Sequence, residues 1–150
     1  MICFIVGANV GHIEFLPVVL LQLVNENGSL SGAYTYNVER HVAGEVVQLT
    51  NNLKFVREQG LVSDLVQAFS HFTYEASNQK LVIVGRTPAS DETGSTFLFD
   101  PQIHSVVYKC FGTGNLLQEG IASFWKEMHP RCNNLCEELG LVKPNVAKSP

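Results

Sequence analysis

The hydrophobic positions along the chain change period more than once, and each change marks a different kind of element. Early on, apolar residues come in short β-branched and aromatic runs, VVLLQLV at 18–24 and YTYNVERHV at 34–42, separated by the turn-rich NENGSLSG. Such runs bounded by Gly, Asn and Ser predict strands joined as a hairpin or meander. From Ser63 the spacing becomes helical: Leu65, Ala68, Phe69 and Phe72 recur at i, i+3, i+4 and i+7. This predicts an amphipathic helix capped by Ser63, with Asp64 in its first turn. KLVIV at 80–84 predicts a short buried strand, and RTPASDETGS at 86–95 has the composition of a surface loop. TFLF at 96–99 predicts another strand, and Ile121, Phe124, Trp125 and Met128 mark one face of a second helix. The pattern is that of an α+β fold. It shows no internal repeat and ends in a polar tail, KPNVAKSP, at 143–150.

Composition narrows the function classes. With 45% hydrophobic residues in 150, the chain can bury a substantial core as one unit. Only 16% of residues are charged and the formal net charge is −4. No basic stripe is present for nucleic acid, which argues against such a partner. MICFIVG at the start lacks a basic leader region, and the apolar stretch PVVLLQLV has eight residues where a membrane span needs about twenty. An intracellular, cytoplasmic chain without a membrane partner is expected. In that setting its four cysteines read as metal ligands or core residues rather than disulfides.

Two of those cysteines lie in HPRCNNLC at 129–136. Cys132 and Cys136 are four apart, so on a helix they share a face, and His129 precedes Cys132 by three. Zn²⁺ takes four such ligands in a tetrahedron, so the stretch supplies three and lacks one. Spacing leaves His12, His41, His71 and His104 open as the fourth. It also leaves open that a Cys-x3-Cys pair simply fills core.

Several ordered motifs carry a family resemblance. SHFTYE at 70–75, DPQIHS at 100–105, FGTGNLLQEGI at 111–121, the Cys-x3-Cys pair and LGL at 139–141 are similar to the C-terminal lobe of the α-type, or atypical, protein kinases. VERHVAGEVVQLTNN at 38–52 resembles that family's VE-x-x-x-x-G-x-x-x-x-x-NN segment, so the likeness runs from about Val19 to Leu141. It implies a two-lobed kinase-like fold that is incomplete here. Residues 1–40 would be a remnant of the N-lobe and hinge, and 41–142 the C-lobe. It further implies a structural zinc held by His71, His129, Cys132 and Cys136, with Pro130 and Arg131 standing where the family has a single residue between histidine and cysteine. Mg²⁺ and ATP would bind between the lobes, and a protein serine or threonine would receive the phosphate.

The resemblance also identifies departures. The family's Asp-x-Gln pair after the strand that follows SHFTYE is matched by Gly85 and Thr87. Glycine offers no ligand, and threonine offers a neutral hydroxyl in place of an amide oxygen. Asp91 or Glu92, in the loop beyond, are the candidate substitutes for the lost metal ligand. Asp100 matches the family's second acidic residue, which acts on the attacking hydroxyl; the residues alone equally fit an aspartate capping the turn before Pro101. Gly112, Gly114, Asn115 and Gly120 match the family's glycine-rich loop, with Leu117 where glycine is usual. Without the family, G-x-G reads as a turn before a helix. Glu39 matches the hinge that contacts adenine, although an exposed strand glutamate would look the same. The family's ATP lysine lies farther upstream than the 38 residues before Glu39 allow. The expectation is an α-type serine/threonine protein kinase domain, truncated and catalytically impaired. Its alternative is a zinc-stabilised pseudokinase or protein-interaction module without turnover.

Overall fold

A computed structural model describes residues 3–5, 12–42, 60–84, 87–90 and 96–144. Its elements are β1 (Cys3–Ile5), β2 (His12–Phe15), β3 (Val18–Val24), β4 (Leu30–Glu39), helix α1 (Leu61–Ala76), β5 (Leu81–Val84), β6 (Thr87–Ser90), β7 (Thr96–Phe99), β8 (Gln102–Ser105), α2 (Leu117–Ser123) and α3 (Asn134–Glu138). A single π-helical turn, Phe124–Met128, continues α2. The mixture of helices and strands agrees with the α+β expectation.

The strands form three sheets. Four strands lie in the order β1-β2-β7-β6, with β2 parallel to β7 and the other neighbours antiparallel. β3 and β4 make a long hairpin, and β5 pairs with β8. The hairpin expected from VVLLQLV and YTYNVERHV is therefore present, closed by a turn in which Gly28 takes the left-handed conformation. Its described side chains are exposed, Leu20 at 68% and Tyr34 at 66% among them.

The loop expected at 86–95 is partly a strand. Thr87–Ser90 pairs antiparallel with β7, Pro88 opposite Leu98. A proline at mid-strand argues against sheet pairing by pattern alone, but β6 is the edge of its sheet, where a missing N–H breaks no ladder. Gly85, Asp91 and Glu92 lie outside the described residues, as do 43–52 of the hinge-like segment and 145–150 of the tail.

Helix α1 starts three residues earlier than its pattern suggests. Gly60 is its N-cap, with φ 105°, and Ser63 is a buried residue inside the first turn rather than the cap. Leu65, Ala68 and Phe69 enter the core as expected, whereas Phe72 is 39% exposed. The core has two parts. One gathers Ile13, Leu65, Phe69, Leu98, Leu135 and Cys136. The other gathers Tyr74, Val82, Ile121, Phe124, Trp125 and Met128. α1 contributes to both, and His71 sits on it between the two.

Candidate functional site

Four side chains that are distant in sequence meet where the two core clusters adjoin. His71, His129, Cys132 and Cys136 each offer one ligand atom, and these atoms all lie within 4.8 Å of one another. His71 comes from the middle of α1. His129 follows the π turn, whose wide loop closes through a 2.7 Å bond from His129 N–H to the Phe124 carbonyl. Pro130 disfavours helical backbone at the residue before it, and His129 leaves the helix with φ −132° and ψ 57°. The extra residue of the π turn and the exit at proline together aim the imidazole inward.

Cys132 is not on a helix. It precedes α3, whose N-cap Asn133 accepts a 3.0 Å bond from the Cys136 N–H. The expectation that helical spacing aligns Cys132 and Cys136 is therefore corrected: the cap turn, not a shared helix face, brings the thiols together. Asn133 also donates to the Asp64 carbonyl at 2.9 Å, which fastens the start of α3 to the first turn of α1.

The separations suit a tetrahedral ion. Cys136 Sγ lies 3.5 Å from His129 Nε2, and Cys132 Sγ lies 3.8 Å from His71 Nδ1. Zn–S near 2.3 Å and Zn–N near 2.0 Å in a tetrahedron require sulfur and nitrogen about 3.5 Å apart. His71, His129 and Cys136 are fully buried. Burial pushes the Cys136 thiol up to about 11 and, with a smaller push from His71 and Lys143, lowers His129 to about 4. Burial likewise lowers His71. Both imidazoles are thus neutral at physiological pH, the state in which histidine binds metals. Aromatic rings wall the site: Trp125 meets His71 edge-on at 4.8 Å, and Phe124 stacks against His129 at 5.5 Å. His104, one of the other histidines that spacing left open, is buried elsewhere, against Gly120 and Leu116.

The other residues singled out from sequence lie in loops around β8. Asp100 occupies the point where the chain crosses from the four-stranded sheet to the β5–β8 pair, with a left-handed φ of 51°. Such backbone costs on the order of 1–2 kcal/mol outside glycine, and aspartate tolerates it better than most residues. Thr87 is paired opposite Phe99, which brings the backbone of the Asp-x-Gln-like position beside Asp100. Glu39 ends β4 and is exposed; its neighbour Arg40 holds its guanidinium 5.2 Å above the Phe97 ring of β7.

Gly112 and Asn115 line an open pocket of about 350 Å³ with Lys109 and Cys110. Asn115 serves the loop itself. Its Oδ1 accepts from the N–H groups of Ser105 and Leu117, both at 2.9 Å, and its amide donates to the carbonyls of Cys110 and Val107. Gly112 has a φ of 74°, and Gly114 packs against the Gln102 side chain. Gly120 is needed for a close approach: a Cβ there would sit 2.6 Å from both Cδ2 and Nδ1 of His104. Leu117, at the position where glycine is usual in the resemblance, has φ 55°, so the backbone there keeps a conformation that glycine adopts without strain.

The model of the "Alpha-kinase family" matches residues 6–136. The chain belongs to the α-kinase family. This α-kinase chain is 36% identical to human "Alpha-protein kinase 1" over 139 residues, which are 91% of the chain and 11% of that protein. It is 34% identical to human "Eukaryotic elongation factor 2 kinase" over 131 residues, 87% of the chain and 16% of that protein. Among solved structures it resembles the α-kinase domain of myosin heavy chain kinase A in complex with AMP, with TM-score 0.70, 32% identity and coverage of 87% of this chain and 49% of that one. An inactive form of the same domain complexed with ATP matches with TM-score 0.69 and 32% identity. The chain therefore spans about half the length of the solved domains and a small part of the curated relatives. No helix among the described residues is long and apolar enough to cross a membrane.

Proposed function

We propose that this α-kinase chain is a zinc-stabilised portion of a serine/threonine protein kinase domain, with phosphoryl transfer much weakened by its own sequence. The observation that carries the reading is the convergence of His71, His129, Cys132 and Cys136 inside a family-matched stretch. Zn²⁺ held by these four side chains ties α1, the π turn and α3 together, and closes a site with no open coordination position. Its role is therefore structural.

The nucleotide side rests on the nucleotide complexes of myosin heavy chain kinase A and on the backbone of the matching loops. Asp100 would act on the attacking hydroxyl of a protein substrate. Gly112 and Gly114 would let the 106–116 loop lie close to phosphate or substrate, with Asn115 bracing that loop. Glu39 would contact the adenine side. Phosphoryl transfer relies on positioning and on cations that neutralise the transferred group. Gly85 and Thr87 replace a carboxylate and an amide at the family's metal-binding pair, so Mg²⁺ and ATP would be held poorly.

Radiolabelled phosphate transfer from Mg²⁺·ATP and Mn²⁺·ATP to a generic basic protein acceptor tests this reading. Transfer orders of magnitude below that of myosin heavy chain kinase A, and abolished in Asp100→Ala, is the expected result. Transfer at the full rate of that enzyme would overturn the impairment. The second reading, a pseudokinase or interaction module, is favoured by the same two replacements and expects no transfer at all.

A further inference from the structure

Gln67 lies one helical turn before His71 on α1, so the two share a face. Its Oε1 is 3.1 Å from His129 Nδ1, the ring nitrogen opposite the Nε2 that faces Cys136. Its Nε2 in turn donates to Ser63 Oγ at 3.2 Å, which points the amide oxygen at the imidazole. Ser63 is buried and Gln67 half-buried, so the relay is partly shielded from water. Histidines that bind metals usually donate their second N–H to a fixed acceptor, which sets the tautomer and the ring orientation.

We propose that Gln67 is the positioning residue of the metal centre: it accepts the Nδ1–H of His129, holds the proton off Nε2 and keeps that nitrogen turned toward the ion. This rests on the zinc reading above. The same helix then supplies one ligand, His71, and the orienting group for a second, so α1 organises half of the centre. Nothing in the spacing of HPRCNNLC points to a residue 62 positions upstream.

The test compares the wild-type zinc-loaded chain with Gln67→Met, which keeps the length of the side chain without the amide acceptor, and Gln67→Glu, which restores an acceptor. Zinc release to a chromogenic chelator gives the affinity, and the visible spectrum of the Co²⁺-substituted chain gives the ligand geometry. The proposal expects zinc affinity about 10–100-fold lower in Gln67→Met, a shifted Co²⁺ spectrum, and wild-type or tighter binding in Gln67→Glu. Affinity in Gln67→Met within twofold of wild type overturns the proposal and leaves the zinc reading standing. Should Gln67→Met fail to fold, Gln67→Glu decides alone: tenfold weaker binding in it overturns the proposal. A wild-type chain that holds no zinc overturns both.

Discussion

Cys136 is the residue on which the metal centre can be tested most simply. It is fully buried, it belongs to the hydrophobic cluster with Leu135 and Phe69, and its sulfur faces His129. If it only packed, Cys136→Ser would cost about 1–2 kcal/mol, the ordinary range for a small polar change in a core. As a zinc ligand it should cost far more, because metal affinity in such sites is folding free energy. The expected result is loss of bound zinc together with loss of cooperative unfolding, read by metal analysis and circular dichroism. Gly120→Ala isolates a different residue effect. The added methyl meets the His104 ring at less than van der Waals distance, and overpacking of this kind costs about 1–3 kcal/mol, measurable by urea denaturation. In the metal-free chain His129 contributes to the response to acid. Its folded value near 4 lies below the 6.5 of an ordinary histidine, so the unfolded chain takes up the proton first. In the metal-free chain this contribution to stability should be full above pH 6.5 and decline as pH falls toward 4, with the denaturation midpoint after chelation as the readout.

The elements differ in how openly the sequence declares them. β3, β4, β5, β7 and α1 are legible, the strands as short β-branched or aromatic runs bounded by turn residues and α1 from its helical period, although β3 is exposed along its whole length. β6 does not, since Pro88 and a polar composition mask a strand that survives only as an edge. The π turn leaves no periodic trace either; Ile121, Phe124, Trp125 and Met128 suit an α-helix equally well, and the one-residue widening is visible only in the His129-to-Phe124 bond. The metal cluster was half legible. HPRCNNLC announces three ligands, but the choice of His71 among four histidines came from the family motif, and the cap turn that aligns the thiols came from the fold. Gln67 was invisible because its partner is distant in sequence. The 106–116 loop was legible as a turn before a helix, while the fourfold bonding of Asn115 was not. Asn115→Ala should leave the loop's N–H and C=O groups unpaired and cost about 1–3 kcal/mol, with hydrogen exchange accelerated at Ser105 and Leu117.

For the molecule as a whole, the proposed metal centre would lie where two core clusters adjoin, clusters that α1 and β5 already connect. With zinc bound as proposed, the core would be closed by coordination as well as by packing. The chain spans about half of the solved α-kinase domains it resembles. The nucleotide site proposed for it can be probed without assuming turnover. A ligand at a hundred times its dissociation constant stabilises by about 2.7 kcal/mol, which raises the unfolding midpoint of a domain this size by several degrees. With Gly85 and Thr87 at the metal pair, the expected shift in millimolar Mg²⁺·ATP is smaller than that, and absent in Mg²⁺ alone. The most direct measurement of the central claim is the metal content of the purified chain by native mass spectrometry, paired with near-ultraviolet circular dichroism before and after chelation. The account expects one zinc ion per chain, and loss of the Trp125 signal together with the ion. A chain that is free of metal and keeps a cooperative, fully folded spectrum would contradict it.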